Sequence, residues 1–154
     1  MSITSIWKQT KRIAIVWDYT DPQQMQAFVK SIDQFLQRNQ FAHALVVVNI
    51  PKDLDKKLLP PHFLIYYNSA SDYSFFGKLK DIQLEAEVSK SYDLLIWNAS
   101  LDSKIFPLLQ ASSIQRRILL NAQNPHFDMQ IDTAQTEAQA QLDYIQQTLE
   151  RIAS

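Results

Sequence analysis

No cysteine occurs in the 154 residues. Disulfides, thiolate metal sites, cysteine nucleophiles and cysteine-held iron–sulfur clusters are therefore excluded. Glycine occurs once, at Gly77. A dinucleotide fingerprint needs several glycines just after the first strand, so that the chain turns tightly and its backbone approaches a pyrophosphate. Here the corresponding segment reads Trp17-Asp18-Tyr19-Thr20-Asp21-Pro22. A Walker A loop and the nucleophile elbow of α/β-hydrolases also need glycines that this chain lacks. No apolar run approaches the ~18 residues of a membrane span. Met1 to Arg12 carries no apolar core of a signal peptide. The expectation is a soluble, cytoplasmic protein.

Charge of one sign is also scarce. The net charge is -1, with 15 Lys/Arg against 16 Asp/Glu. Up to residue 120 fourteen basic residues face eleven acidic ones (+3), and from 121 onward one faces five (-4). Nucleic-acid binding needs basic residues clustered on one face. Lys8, Lys11 and Arg12, and the loop carrying Lys52, Lys56 and Lys57, are short groups, and Asp53 and Asp55 interrupt the loop. They read as solvated surface. The three histidines, His43, His62 and His126, fall at strand starts, which in a parallel sheet is the edge opposite the usual ligand site. No metal and no cofactor is implied.

What is present is a regular alternation. Hydrophobic residues make up 46% and charged residues 20%, ordinary for one globular domain of this length. The first ten residues read as a loosely ordered lead-in. Continuous apolar runs predict buried strands at 13–17, 44–50, 63–67, 94–97 and 117–120. Met25, Phe28, Val29, Ile32, Phe35 and Leu36 recur at helical spacing behind Asp21 and Pro22, an N-cap and first-turn pair, and predict a helix over 22–39. A single helical turn fits 53–59. Residues 79–90 fit either a strand or a helix; a crossover is needed there, which favours a helix. A short helix is expected over 102–111. Phe127, Met129 and Ile131 alternate with polar residues as in a half-exposed edge strand. A last helix is expected over 134–153, capped by Asp132 or Thr133. Its seam of Ala138, Leu142, Ile145, Leu149 and Ile152 suits packing on a sheet, with a dimer seam as the alternative. The fold class is α/β: a three-layer, Rossmann-like or flavodoxin-like open sheet of 5-6 strands, mostly parallel, with helices on both faces. The link between the second and third strands is short enough to suggest that one of them runs antiparallel.

Ligands of such sheets bind outside the carboxyl ends of the strands. The residues there are Asp18, Asn49, Asn68, Asn98 and Asn121, a carboxylate and four amides able to line a small polar pocket. The same residue types also start loops for purely local reasons. A phosphoacceptor receiver domain shares the layout, but the third strand ends in Asn68 rather than Asp and the fifth in Leu120-Asn121 rather than Lys. A second feature is the aromatic segment Tyr73, Phe75 and Phe76 beside Gly77 and Lys78. On an exposed loop it is a candidate partner-binding patch; folded back, which is the commoner arrangement, it covers a sheet edge. Gly77 is expected to adopt a positive φ.

The strings Phe75-Phe76-Gly77-Lys78, Tyr92-Asp93-Leu94-Leu95-Ile96, Ser112-Ser113 and His126-Phe127-Asp128-Met129-Gln130-Ile131 resemble a small uncharacterised Bacteroidetes-type bacterial family, a domain of unknown function with a Rossmann-like fold. The likeness covers roughly residues 10 to 153. It implies a fold and no activity, and where relatives carry small residues and glycine after the fifth strand this chain has Asn121 and Ala122. Two functions are expected in order. The first is a non-enzymatic binding or adaptor protein, monomeric or dimeric, with a protein partner. The alternative is a small-molecule enzyme or sensor with its site at the strand ends. The former predicts a filled crevice and an exposed apolar patch, the latter a concave polar pocket.

Overall fold

A computed structural model describes residues 4–153. Six parallel strands form one open sheet: β1 (Arg12–Asp18), β2 (His43–Asn49), β3 (Ile65–Asn68), β4 (Tyr92–Asn98), β5 (Ile114–Leu120) and β6 (Met129–Ile131), in the order β3-β2-β1-β4-β5-β6. This is the Rossmann strand order, which reverses direction between β1 and β4. Five helices are described: α1 (Ile6–Gln9), α2 (Pro22–Arg38), α3 (Ile82–Val88), α4 (Ile105–Ala111) and α5 (Ala138–Glu150).

The continuous apolar strands are explained by burial on both faces. Side chains alternate across a sheet, and in β1 Ile13, Ile15 and Trp17 join one core while Ala14 and Val16 join the other. The first core is closed by α1, α2 and α5 through Trp7, Phe28, Ile32, Phe35, Leu142, Ile145 and Leu149. The second is closed by α3 and α4 through Leu84, Val88, Ile105 and Leu109, around Trp97. The apolar seam of α5 thus faces the core, and Arg38 of α2 ties to Asp143 of α5 at 2.6 Å.

Several expectations are corrected. All strands are parallel, including β2 and β3. Residues 50–64 span the crossover without a long helix, since a 3-10 turn at Lys56–Leu58 and the buried Leu59 carry the chain across the sheet edge. The segment 79–90, by contrast, is the helix the crossover favours, over Ile82–Val88, with the Asp81 carboxylate accepting from the Leu84 N–H. Helix α4 starts at Ile105 rather than 102, because Pro107 offers no N–H to an earlier turn and is tolerated only within the first turn. Helix α5 starts at Ala138 behind Glu137, not at 134 behind Asp132 or Thr133. The Thr133 N–H is taken by Asn121 Oδ1 at 2.7 Å and Thr133 Oγ1 accepts from the Gln135 N–H, which holds this stretch in a turn. The lead-in is ordered where it is described. Ile6 and Trp7 are buried, the Ile6 N–H donates to the Ile152 carbonyl, and Trp7 meets Phe35 and Phe41 edge-on at 5.7 and 5.8 Å. Residues 1–3 of that lead-in lie outside the described residues.

The edge where the strands begin holds the histidines. His43 Nε2 lies 2.6 Å from Glu87, and His62 Nε2 lies 2.6 Å from Asp33. Burial pushes the Glu87 carboxyl up, but hydrogen bonds and charge from Lys90 and His43 outweigh it and leave its pKa below the usual 4.5. A lowered folded-state pKa supplies stability that is present above about pH 4.5 and is lost as pH falls through the folded value. Glu87→Gln is therefore expected to lower stability at neutral pH and to flatten the acid limb below about pH 4.5. Urea unfolding of both proteins across that window checks this; parallel acid limbs would refute it.

Candidate functional site

The loops after β1 and β4 diverge because α2 and α4 lie on opposite faces, and a crevice of about 600 Å³ opens between them at the strand ends. Asp18, Asp21, Asn98 and Ser100 line its polar side. Trp17, Met25 and Phe28 supply an apolar wall, and Thr136 and Gln141 close it from the segment leading into α5. A second, more apolar recess of about 330 Å³, between α2 and residues 54–60, shares Tyr19 and Met25 with it.

Asp18 is the best-anchored member. Its Oδ1 accepts from Asn49 Nδ2 at 3.1 Å and its Oδ2 from the Ser100 N–H at 2.8 Å. A carboxylate has about four acceptor positions, so capacity remains for a ligand. Asp21 caps α2, with Oδ1 accepting from the Gln24 N–H at 2.8 Å. In a dinucleotide-binding protein the N-terminal amides of this helix hold phosphate. Here a carboxylate occupies one of them, and the lining holds two carboxylates and no Lys, Arg or His. The crevice therefore repels anions. It also holds no paired nucleophile and base: Ser100 Oγ accepts from the Asp102 N–H, and Asp18 is turned to the Ser100 backbone.

The five strand-end residues do not form one site. Asp18 and Asn98 line the crevice, where Asn98 Nδ2 donates to Gln141 Oε1 at 3.4 Å. Asn49 and Asn68 line a separate cavity of about 220 Å³ with Ser69, Tyr73, Asp102, Ser103 and Lys104. Asn121 lines neither; it is the one non-glycine among the described residues with positive φ (56°), and its side chain caps the turn at Thr133. That is the local loop role such residues often play. Sequence reasoning missed Gln141, Thr136, Ser103 and Lys104, because long-range packing alone brings them to the strand ends.

The aromatic segment divides. Tyr73 is buried, its hydroxyl donating to Asn68 Oδ1 at 2.7 Å. Burial, helped by the charge of Asp72 and opposed by that bond, pushes its pKa well above 10. Phe75 and Phe76 are 96% and 91% exposed and meet each other edge-on at 5.4 Å. Gly77 turns the loop with φ +79°. Lys78, also exposed, closes it through its carbonyl, which accepts from the Ser74 N–H.

Fold and crevice together define a Rossmann-like α/β protein with its concavity at the topological switch point and no glycine-rich loop after β1. No family model, curated protein or solved structure matches the chain. Among the described residues no three His, Asp or Glu group as they would to hold a metal ion, and no helix is long and apolar enough to cross a membrane.

Proposed function

We propose that this protein is a small-molecule binder, acting in the cytoplasm, whose switch-point crevice takes an organic amine with an apolar body. The observation that carries the reading is the open crevice between the β1 and β4 loops, with two carboxylates and no basic group on its walls. Asp18 offers a carboxylate, the part-exposed Tyr19 offers an aromatic face suited to an ammonium with the buried Trp17 and Phe28 behind it, and the adjoining recess accommodates the apolar part. Without a paired nucleophile and base, binding or sensing fits the site better than catalysis.

The test is thermal unfolding with tyramine, spermidine, choline, NAD and ATP. A ligand at a hundred times its Kd stabilises by about 2.7 kcal/mol. An amine is expected to raise the Tm of the wild type and not of Asp18→Asn, while NAD and ATP leave both unchanged. Stabilisation by the nucleotides alone, or by none of the amines, would overturn the reading.

A second reading, the adaptor, is favoured by one observation: Phe75 and Phe76 stand in solvent at the tip of a loop. As exposed residues they contribute little to folding, so Phe75→Ser/Phe76→Ser is expected to leave stability within about 0.5 kcal/mol. In an affinity purification from the host, a specific partner bound by the wild type and lost in this stable variant supports the adaptor. The same proteins recovered with both forms would count against it.

A further inference from the structure

The small cavity beside the crevice has a different chemistry. It sits where β2 and β3 end and is covered by the turn 102–104. Asn68 is 3% exposed, and its Oδ1 is satisfied by the Tyr73 hydroxyl while its Nδ2 has no hydrogen-bond partner. Ser103 Oγ, from the 102–104 turn that also lines the cavity, is likewise buried without a partner. Buried polar groups are nearly always paired, and two orphans in one cavity call for an explanation. The third group is cationic. Lys104 Nζ lies 5.7 Å from the centroid of the Tyr73 ring and forms no ion pair among the described residues.

An amide NH₂, a hydroxyl and an ammonium share one complement, a planar group of oxygen acceptors bearing negative charge. We infer that the Asn68–Ser103–Lys104 cavity is a subsite for a carboxylate group. Asp102 lines the same cavity without pairing to Lys104, and its carboxylate disfavours a dianion more than a monoanion. That separates a carboxylate from a phosphate. Asn68 Nδ2 and Ser103 Oγ are closed off from solvent, so entry requires an outward shift of the 102–104 turn, whose Asp102 and Lys104 side chains are already exposed. The cavity is distinct from the crevice. Asn49 lines it and donates to Asp18, which places the Asp18–Asn49 pair between the two. The inference therefore does not depend on the amine reading.

The test is an NMR titration of the full chain with sodium acetate, read at the Asn68 side-chain NH₂ signals. Sodium phosphate and sodium chloride at equal ionic strength are the comparisons. Acetate is expected to move those signals saturably, phosphate more weakly and chloride not at all. Lys104→Met, whose amide spectrum checks that the fold is kept, is expected to weaken acetate roughly tenfold or more, the effect of one charge-assisted hydrogen bond. Ser103→Ala is expected to weaken it by a smaller factor. Asn68 signals that acetate does not move, that chloride moves equally, that phosphate moves at lower concentration, or that respond to acetate identically in Lys104→Met would each overturn the subsite.

Discussion

Trp97→Ala is expected to cost about 3–5 kcal/mol, the range for truncating a large aromatic side chain in a core. Trp97 is fully buried on the central strand β4, at the middle of the core closed by α3 and α4. Its ring meets Phe106 edge-on at 5.2 Å and lies 6.4 Å from Phe127, and its Nε1–H donates to the Ala99 carbonyl at 2.9 Å. Truncation removes the transfer energy of the ring, leaves a cavity between sheet and α4, and orphans a carbonyl in the loop beside the crevice. A domain is stable by only about 5–15 kcal/mol, so this is a large share of the total. Denaturant unfolding checks it: the midpoint falls sharply with little change in slope. A loss below about 1 kcal/mol would mean that the core around Trp97 is far looser than its burial implies.

Asp18→Asn is expected to abolish amine binding at the crevice and to destabilise the fold by about 1–3 kcal/mol. The carboxylate satisfies two donors that come from different directions, Asn49 Nδ2 and the Ser100 N–H. An amide of the same shape keeps one acceptor and turns an NH₂ toward the other donor, so at least one hydrogen bond becomes a donor–donor conflict. The loss of negative charge removes the group that attracts an ammonium, while the aromatic wall is untouched. The two effects separate experimentally, because unfolding without ligand reports the first and the amine-induced shift in Tm reports the second. An amine response in Asp18→Asn equal to that of the wild type would move the site away from Asp18, whatever its effect on stability.

Much of the fold was legible because local patterns and global architecture agree. Val46, Val47 and Val48, and Leu94, Leu95 and Ile96, are apolar on both faces, which only a sheet covered on both sides accommodates. Asp21 and Pro22 marked the start of α2, and Gly77 marked the positive-φ turn. The errors fall where a distant residue intervenes. The start of α5 was displaced because Asn121, twelve positions earlier, captures the Thr133 N–H. The parallel pairing of β2 and β3 is not legible, because the crossover between them uses an irregular segment anchored by Leu59 rather than a helix with a period to read.

The candidate site was legible in its chemistry and not in its grouping. Asp18, Asn49, Asn68, Asn98 and Asn121 do stand at or just past the ends of their strands, yet they divide among a crevice, a smaller cavity and a turn. Which of these each residue enters depends on sheet order, because neighbours in sequence are not neighbours in the sheet: β1 lies between β2 and β4. By itself the sequence determined the alternation of strands and helices, the exclusion of cysteine chemistry and the absence of a glycine-rich phosphate loop, since these depend on residue type and short-range spacing. Only the tertiary structure decided that β1 and β4 part at a switch point, that Gln141 arrives there from α5, and that Asn68, Ser103 and Lys104 share one cavity. Those groupings come from the packing of segments far apart in the chain, which no local pattern encodes.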